Sequence, residues 1–176
     1  TYWAMRKFNC PESYTSPLYL YRTARERGMD FVTITDHNAI TGALEIAHLP
    51  GTFVSSEITA HFTENGCKAH VVVLHINEAQ FREIMELRKN VYELTAYLNG
   101  QGIVHFLAHP LYAQNDKLVT EIIEKSLLLF STFEVKNGCR ARRFNDFTKR
   151  MVSSLSRETI ERLADRYDIA PRGEVP

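Results

Sequence analysis

Phe31-Val-Thr-Ile-Thr-Asp-His-Asn38 is the stretch that decides the fold, because an apolar strand in it ends abruptly in polar residues. Residues 31–35 are mostly apolar or β-branched, a pattern that predicts a buried strand. Asp36 and His37 follow at once. The C-terminal ends of buried parallel strands line the barrel mouths and crevices in which α/β folds place their chemistry.

Two interpretations of this strand end are open at this point. An imidazole beside an acid that can orient it is a good arrangement for a metal ligand, and His37 with Asp36 fits that description. The other interpretation is structural: Asp36 or Asn38 begins the next helix as its N-cap, and His37 is incidental.

Further histidine and carboxylate side chains stand at the edges of predicted strands and favour the metal interpretation. They are Glu57 after the run 52–56, His70 near the start of strand 69–76, and His109 after the run 103–108. Imidazole and carboxylate are the ligands of zinc, manganese and iron sites. One buried histidine is usually a satisfied core residue, but four such placements in one small domain predict a shared site.

The same residues resemble the sequence motifs of the PHP (polymerase and histidinol phosphatase) domain family. The similar segments are Ile34-Thr-Asp-His-Asn38 with Thr41-Gly42, Ser56-Glu57, Ala69-His70-Val71 and Ala108-His109-Pro110. The resemblance spans nearly the whole chain. It implies an α/β fold, a distorted (β/α)7 barrel without its last strand, formed by residues 1–176 as a single domain. It also implies metal ions at the C-terminal ends of the strands and hydrolysis of a phosphate ester.

Carried over residue by residue, the resemblance implies a set of site residues. The metal ligands are His37, Glu57, His70 and His109, and the catalytic group is Asp36 with His37, Glu57 and His109. Glu57 is the best candidate to bridge two ions, because a carboxylate has two oxygens to share. Asp36 is expected to accept a hydrogen bond from an imidazole or water. Zinc, manganese and iron all suit this ligand set.

Two departures from the family pattern lead to an alternative function. Trp3 and Met5 stand where the family has a His-x-His pair, and Cys10 lies near the position of a further ligand. The chain ends at residues 172–176, before the closing Asp-x-His. We expect a domain truncated at the C-terminus and divergent or truncated at the N-terminus. The alternative is a catalytically degenerate PHP fold that serves as a binding or structural module.

A basic segment at the end of predicted strand 132–136 is the candidate substrate site. Asn137 and Arg140 follow that strand and precede a predicted helix, and similar PHP proteins carry a comparable segment. Arginine can grip phosphate by forked hydrogen bonds. A solvated basic face is the competing interpretation. Glu134, within the strand, is interpreted as a structural carboxylate.

Composition limits the partners. Lys and Arg balance Asp and Glu at 21 each, so no overall field attracts nucleic acid or membrane, and a metal-dependent nuclease is the weaker alternative. The three cysteines are widely spaced, which favours reduced thiols and a cytoplasmic location. The resemblance to the PHP family implies a small phosphorylated substrate as the partner.

Alternation of apolar periods predicts helices and strands in turn, and hence a parallel sheet or barrel. Ser16-Pro17 and Ser156 predict helix starts. Glu64-Asn-Gly66 predicts a hairpin turn. Residues 78–98 are predicted to form one long helix.

Overall fold

The computed structural model of the chain describes residues 15–171, which form an α/β fold. Its elements are, in order, α1 Pro17–Glu26, α2 Thr41–Ile46, β1 Ser55–His61, β2 Lys68–Leu74, α3 Glu78–Leu87, α4 Val91–Gly100, β3 His105–Ala108, α5 Thr120–Leu129, α6 Arg142–Ser153 and α7 Arg157–Tyr167. Trp3, Met5, Cys10 and residues 172–176 lie outside the described part, so the predicted departures at both termini stay predictions.

The three strands form one antiparallel sheet in the order β1-β2-β3. The predicted hairpin between β1 and β2 is confirmed: Asn65 Oδ1 accepts a hydrogen bond from the Cys67 amide, and Gly66 adopts a φ of +68°. Such a short connection can join antiparallel strands only, because a parallel crossover needs a dozen or more residues. The parallel sheet predicted from the alternation is therefore wrong for these three strands.

Parallel pairing is found at both edges of this sheet, but only as isolated bridges. Val32 pairs with Thr52 and His37 with Glu57 on one side, and Leu107 pairs with Phe133 on the other. The segments 31–35 and 132–136, predicted as strands, thus run beside β1 and β3 without forming a full ladder. The side chain of Phe31 is 74% exposed, so the start of its segment does not pack against the core, and this packing does not hold it in a regular strand.

The main core lies between the sheet and the helices that follow β2. Ile58 and Ala60 of β1 and Val71 and Val73 of β2 are fully buried, at alternate positions as a pleated sheet requires. They pack with apolar side chains of α3, α4 and α5: Ile84, Leu94, Leu98, Ile122 and Leu129. This core fixes the sheet, and with it the strand ends that carry the predicted site.

Helix boundaries follow the predicted caps at some positions and not at others. Ser16 accepts a hydrogen bond from the Tyr19 amide, and Ser156 accepts one from the Thr159 amide, so both predicted starts are confirmed. The single helix predicted over 78–98 is wrong. Asn90 caps a new helix by accepting from the Tyr92 amide, so α3 and α4 are separate helices although the apolar period continues across the break.

None of the helices within residues 15–171 combines the length and the apolar character needed to cross a bilayer.

A charged network joins the hairpin turn to α5. Lys125 Nζ donates to Glu64 Oε1 at 2.6 Å and to Glu121 Oε1 at 2.7 Å, and its side chain is 11% exposed. The Tyr92 hydroxyl also donates to Glu64. Burial, reinforced by this bond to the carboxylate, raises the pKa of Tyr92 to about 12. Burial alone would lower the pKa of Lys125, but its bonds to the two carboxylates outweigh burial and raise it.

We expect Lys125→Met to lower the free energy of unfolding by about 2 kcal/mol, because hydrogen bonds to two carboxylates are lost from a largely buried site. Urea unfolding at neutral pH measures this. The matched control is Lys89→Met, since Lys89 makes a 2.9 Å ion pair with Glu86 while 76% exposed. An exposed pair contributes much less to stability, because water and salt screen its charges. Equal effects from the two variants would contradict the prediction.

Candidate metal centre

Four side chains predicted as metal ligands meet on one face of the sheet, opposite the face that carries Ile58 and Val71. His37 and Glu57 are opposite each other in a parallel bridge. His70 lies on the neighbouring strand β2, and its partner across the β2–β3 ladder is Ala108. His109 follows Ala108 directly, so the register of the sheet alone brings these residues together.

A single carboxylate oxygen is the meeting point of the cluster. Glu57 Oε1 lies 2.6 Å from His70 Nδ1, 3.3 Å from His109 Nε2 and 3.9 Å from His37 Nδ1. The His70 ring centroid is 4.6 Å from that of His37 and 5.0 Å from that of His109, both with edge-on geometry. Each imidazole therefore reaches the same oxygen from a different segment.

The cluster is largely shielded from solvent. The side chains of His70 and His109 are each 10% exposed and that of Glu57 is 18% exposed, whereas that of His37 is 36% exposed. His37 therefore marks the solvent side of the cluster.

Burial and hydrogen bonding set the charge states within the cluster. Burial disfavours the charged form of Glu57, but hydrogen bonds from His109 and His70 and the field of His37 outweigh it, so the pKa of Glu57 lies well below its usual range. Burial is the largest influence on His70 and lowers its pKa, in spite of the bond to Glu57. At neutral pH the cluster thus combines a carboxylate with a neutral buried imidazole.

These charge states and distances fit a divalent metal ion. Donor atoms of His37, Glu57 and His70 all lie within 4.8 Å of one another, and this trio is a group that can hold an ion. Atoms that share one ion at about 2 Å lie roughly 3 to 4 Å apart. The 3.3 and 3.9 Å separations match that spacing, and the 2.6 Å separation is that of a direct hydrogen bond.

Asp36 occupies a different position from the one expected. Its carboxylate lies against Gly42, where a Cβ would approach Oδ2 to 2.5 Å. Within residues 15–171 no hydrogen bond joins this carboxylate to an imidazole of the cluster. The backbone carbonyl of Asp36 instead accepts from the Glu57 amide at 3.2 Å and from the Ser56 hydroxyl at 3.0 Å. Asp36 thus supports Glu57 through its main chain. Its carboxylate does not join the cluster, because adjacent side chains on an extended segment, here those of Asp36 and His37, face opposite ways.

Asn38 is a supporting residue that the sequence identified only as a possible cap. It adopts a φ of +53°, which Asn tolerates better than most residues. Its amide side chain pairs with Thr59, accepting from the backbone N–H at 2.9 Å and donating to Oγ1 at 3.1 Å. Arg88 donates to the Thr59 carbonyl at 3.0 Å. The turn after His37 is therefore fastened to β1 and to the junction of α3 and α4.

The two predicted substrate-binding residues lie beside His109. A small cavity is lined by His109, Tyr112, Asn137 and Arg140, among others. The Arg140 guanidinium lies 3.5 Å over the centroid of the Tyr112 ring. Arg140 Nε is buried and has no hydrogen-bond partner among the described residues. The Asn137 amide, in contrast, is already used, because its Nδ2 donates to both oxygens of Glu134.

Tyr112 and Glu134 are the contacts of this region that pattern alone does not reveal. Tyr112 packs edge-on against His109 with a centroid distance of 5.8 Å, and Glu134 accepts a hydrogen bond from the His109 amide at 2.8 Å. Tyr112 lies in a loop, where no hydrophobic periodicity predicts the direction of its side chain. Glu134 has one available signal, an acid in the same short segment as Asn137.

The sequence matches no known protein-family profile and no curated protein. Two solved structures are similar in fold. One, from Bifidobacterium adolescentis, has a proposed identity as a metal-dependent phosphoesterase; it is 15% identical, with a TM-score of 0.54, over 94% of this chain and 86% of its own. The other is an amidohydrolase from Chromobacterium violaceum with bound sulfate and no metal; it is 14% identical, with a TM-score of 0.58, over 88% of this chain and 79% of its own.

At these identities the similarity concerns the fold. The described residues share their overall fold with these two proteins, and the histidine–glutamate cluster lies within that fold.

We expect the metal-free chain to lose stability as the pH falls from 5 to 3. A carboxyl whose folded pKa is depressed contributes stability above its unfolded pKa, near 4.3, and loses it on acidification. Glu57 is such a group. One pKa unit corresponds to about 1.4 kcal/mol, so we expect at least that loss. Urea unfolding at several pH values in a chelator measures it.

The comparison variant for this experiment is Glu57→Gln, which should flatten the pH dependence below 5. Glu161→Gln is the control, because Glu161 is exposed on α7. An unchanged acid limb in Glu57→Gln would contradict the prediction.

Proposed function

We propose that this chain is a metal-dependent phosphoesterase of the PHP type, which hydrolyses a small phosphate ester. His37, Glu57, His70 and His109 are the proposed metal ligands. The observation that carries the proposal is the convergence of three imidazoles on Glu57 Oε1. The fold neighbours, a phosphoesterase by proposal and an amidohydrolase with bound sulfate, support a hydrolase, and sulfate has the tetrahedral shape of phosphate.

The residues of the cluster suit the hydrolysis of a phosphate ester. A bound divalent cation supplies a hydroxide nucleophile near neutral pH and neutralises charge on the phosphoryl group. Glu57 contributes the negative charge, since its depressed pKa keeps it ionised throughout the physiological range. His70 contributes a neutral imidazole. His37 is the most exposed of the three histidines, which supports entry of the substrate from its side.

Arg140 is the proposed phosphate-binding residue. Guanidinium stays protonated at all physiological pH values and binds phosphate oxygens through paired N–H groups. The stack on Tyr112 orients the plane of this group, and Tyr112 in turn touches His109. The buried Nε without a protein partner is a donor available to a ligand. Asn137 serves by shaping the loop, since its amide is occupied by Glu134.

The barrel belongs to this proposal as well. The described sheet, with a parallel bridge at each edge, is consistent with part of a distorted (β/α)7 barrel. The degenerate binding module is the competing outcome, and loss of catalysis with retained metal binding would favour it.

Metal binding is the first expected outcome. We expect the purified chain to contain at least about one equivalent of zinc, manganese or iron by plasma mass spectrometry, as its donor set implies. The His37→Ala/His109→Ala double variant should lose it. His48→Ala is the matched control, because His48 is exposed at the end of α2 and outside the cluster. Equal metal content in the wild type, the double variant and His48→Ala would show that His37 and His109 are not metal ligands.

Activity is the second expected outcome. The manganese- or zinc-loaded chain should release p-nitrophenol from p-nitrophenyl phosphate, and it should leave a p-nitroanilide amide intact. Arg140→Ala should lower kcat/KM by about 10- to 100-fold, as expected for the loss of a charge-assisted bond to phosphate. Arg142→Ala is the control, since the Arg142 side chain is 93% exposed. Cleavage of the amide alone would favour an amidohydrolase, and a metal-loaded chain inert to both would favour the binding module.

A further inference from the structure

Glu134 lies between two parts of the site that are far apart in sequence. One oxygen, Oε2, accepts the backbone N–H of His109 at 2.8 Å. Both oxygens accept the side-chain amide of Asn137 at 3.1 Å. The backbone N–H of Glu134 also donates to the Leu107 carbonyl at 2.9 Å, which anchors the residue to β3. The carboxylate therefore has fixed partners on both sides.

The bond to His109 holds a backbone conformation that the chain does not favour. His109 adopts a φ of +31° although it carries a side chain and precedes Pro110. A residue before proline prefers the extended region, and a positive φ is strained for any residue other than glycine. A bond from an amide to a carboxylate is stronger than one between neutral groups. Glu134 thus offsets the strain at the residue that presents the imidazole.

The bonds to Asn137 hold the loop that carries Arg140. The Asn137 backbone pairs with the Asn145 side chain through bonds of 3.1 and 3.0 Å, and Asn137 Oδ1 accepts the Cys139 amide at 2.9 Å. The Arg140 amide donates to the Asn137 carbonyl at 3.3 Å. Asn137 is therefore the fixed point from which Arg140 leaves the loop.

The contacts of Glu134, Asn137 and Arg140 form a closed ring with His109. Arg140 stacks on Tyr112, and the Tyr112 amide donates to the His109 carbonyl at 2.9 Å. The contact ring thus consists of five residues, each touching the next: His109, Glu134, Asn137, Arg140 and Tyr112. Removal of one member leaves the others joined in an open chain, which fixes their spacing less well.

We propose that Glu134 is a positioning residue that sets the distance between the His109 imidazole and the Arg140 guanidinium. Its carboxylate closes the contact ring, so a metal-bound phosphoryl group meets both groups without rearrangement of the loop. The placement of Arg140 by Glu134 is a property of the metal-free chain. Its consequence for metal and substrate rests on the proposed function.

The test compares Glu134→Ala with Glu134→Gln. Alanine removes both bonds of the carboxylate. Glutamine keeps the oxygen that accepts from the His109 N–H and from Asn137, but it replaces the other oxygen by an N–H2 group that faces the Asn137 N–H2 group, so the loop side alone is weakened. Glu124→Gln is the matched control, because Glu124 is a partly buried carboxylate that accepts from Tyr167 and Arg166 away from the site.

The first readout is NMR of the isotope-labelled, metal-free chain. The Arg140 Cζ lies 3.5 Å from the centroid of the Tyr112 ring, so we expect the ring current to shift the signal of the neighbouring Nε–H proton. We expect that signal to move toward the value of an unstacked arginine in both Glu134 variants and to stay in place in Glu124→Gln. If the Arg140 signal of Glu134→Ala stayed at its wild-type position, the proposal would be overturned, whether or not the chain binds metal.

The second readout is cobalt(II) binding, followed by calorimetry and by the visible spectrum of the complex. We expect Glu134→Ala to weaken cobalt binding by about 10- to 100-fold, as for other groups that orient a ligand, and Glu134→Gln to stay near wild type. Glu134→Gln should raise KM for p-nitrophenyl phosphate through Arg140 alone. Wild-type affinity and spectrum in Glu134→Ala would overturn the link to His109. A wild-type chain that binds no cobalt would overturn the proposed function instead, with the NMR result still deciding the role of Glu134.

Discussion

The attraction between one ionised carboxylate and three imidazoles is the constraint on which the site depends. A nitrogen of each of the three rings lies within 4 Å of Glu57 Oε1. Three imidazoles with centroids about 5 Å apart would repel one another if they were protonated without this counter-charge. The cost of burying Glu57 is met by the same rings, through two hydrogen bonds and a favourable field. Charge and geometry therefore depend on each other here.

The sheet supplies the geometry. An antiparallel ladder fixes which residues of β1, β2 and β3 are opposite each other, and a slip by one residue would turn the side chains of Glu57 or His70 to the other face. The buried positions Ile58, Val71 and Val73 prevent such a slip, because their side chains fill the core. The apolar face of the sheet thus specifies the polar cluster on its opposite face.

Much of this arrangement could be predicted from local signals. A polar residue ending an apolar run identified His37 and His109, and cap and turn residues identified the starts of α1 and α7 and the β1–β2 hairpin. Local signals fail where a contact is distant in sequence. The break at Asn90 leaves the apolar period of the helix almost intact, and the Arg88 bond to Thr59 joins residues 29 apart. The direction of the Asp36 carboxylate and the partners of Glu134 are set by packing in the same way, so a sequence pattern does not carry them.

The network around Lys125 has a consequence for how the chain folds and unfolds. The bond between Lys125 and Glu64 joins residues 61 apart, with β2, α3, α4 and β3 between them in the chain. Contacts that close such long loops come late, because the entropy of closure must be spent first. An interaction absent from the transition state acts mainly on the unfolding rate. We therefore expect the network to contribute little to the rate of folding, and to lengthen the lifetime of the native state by slowing its unfolding.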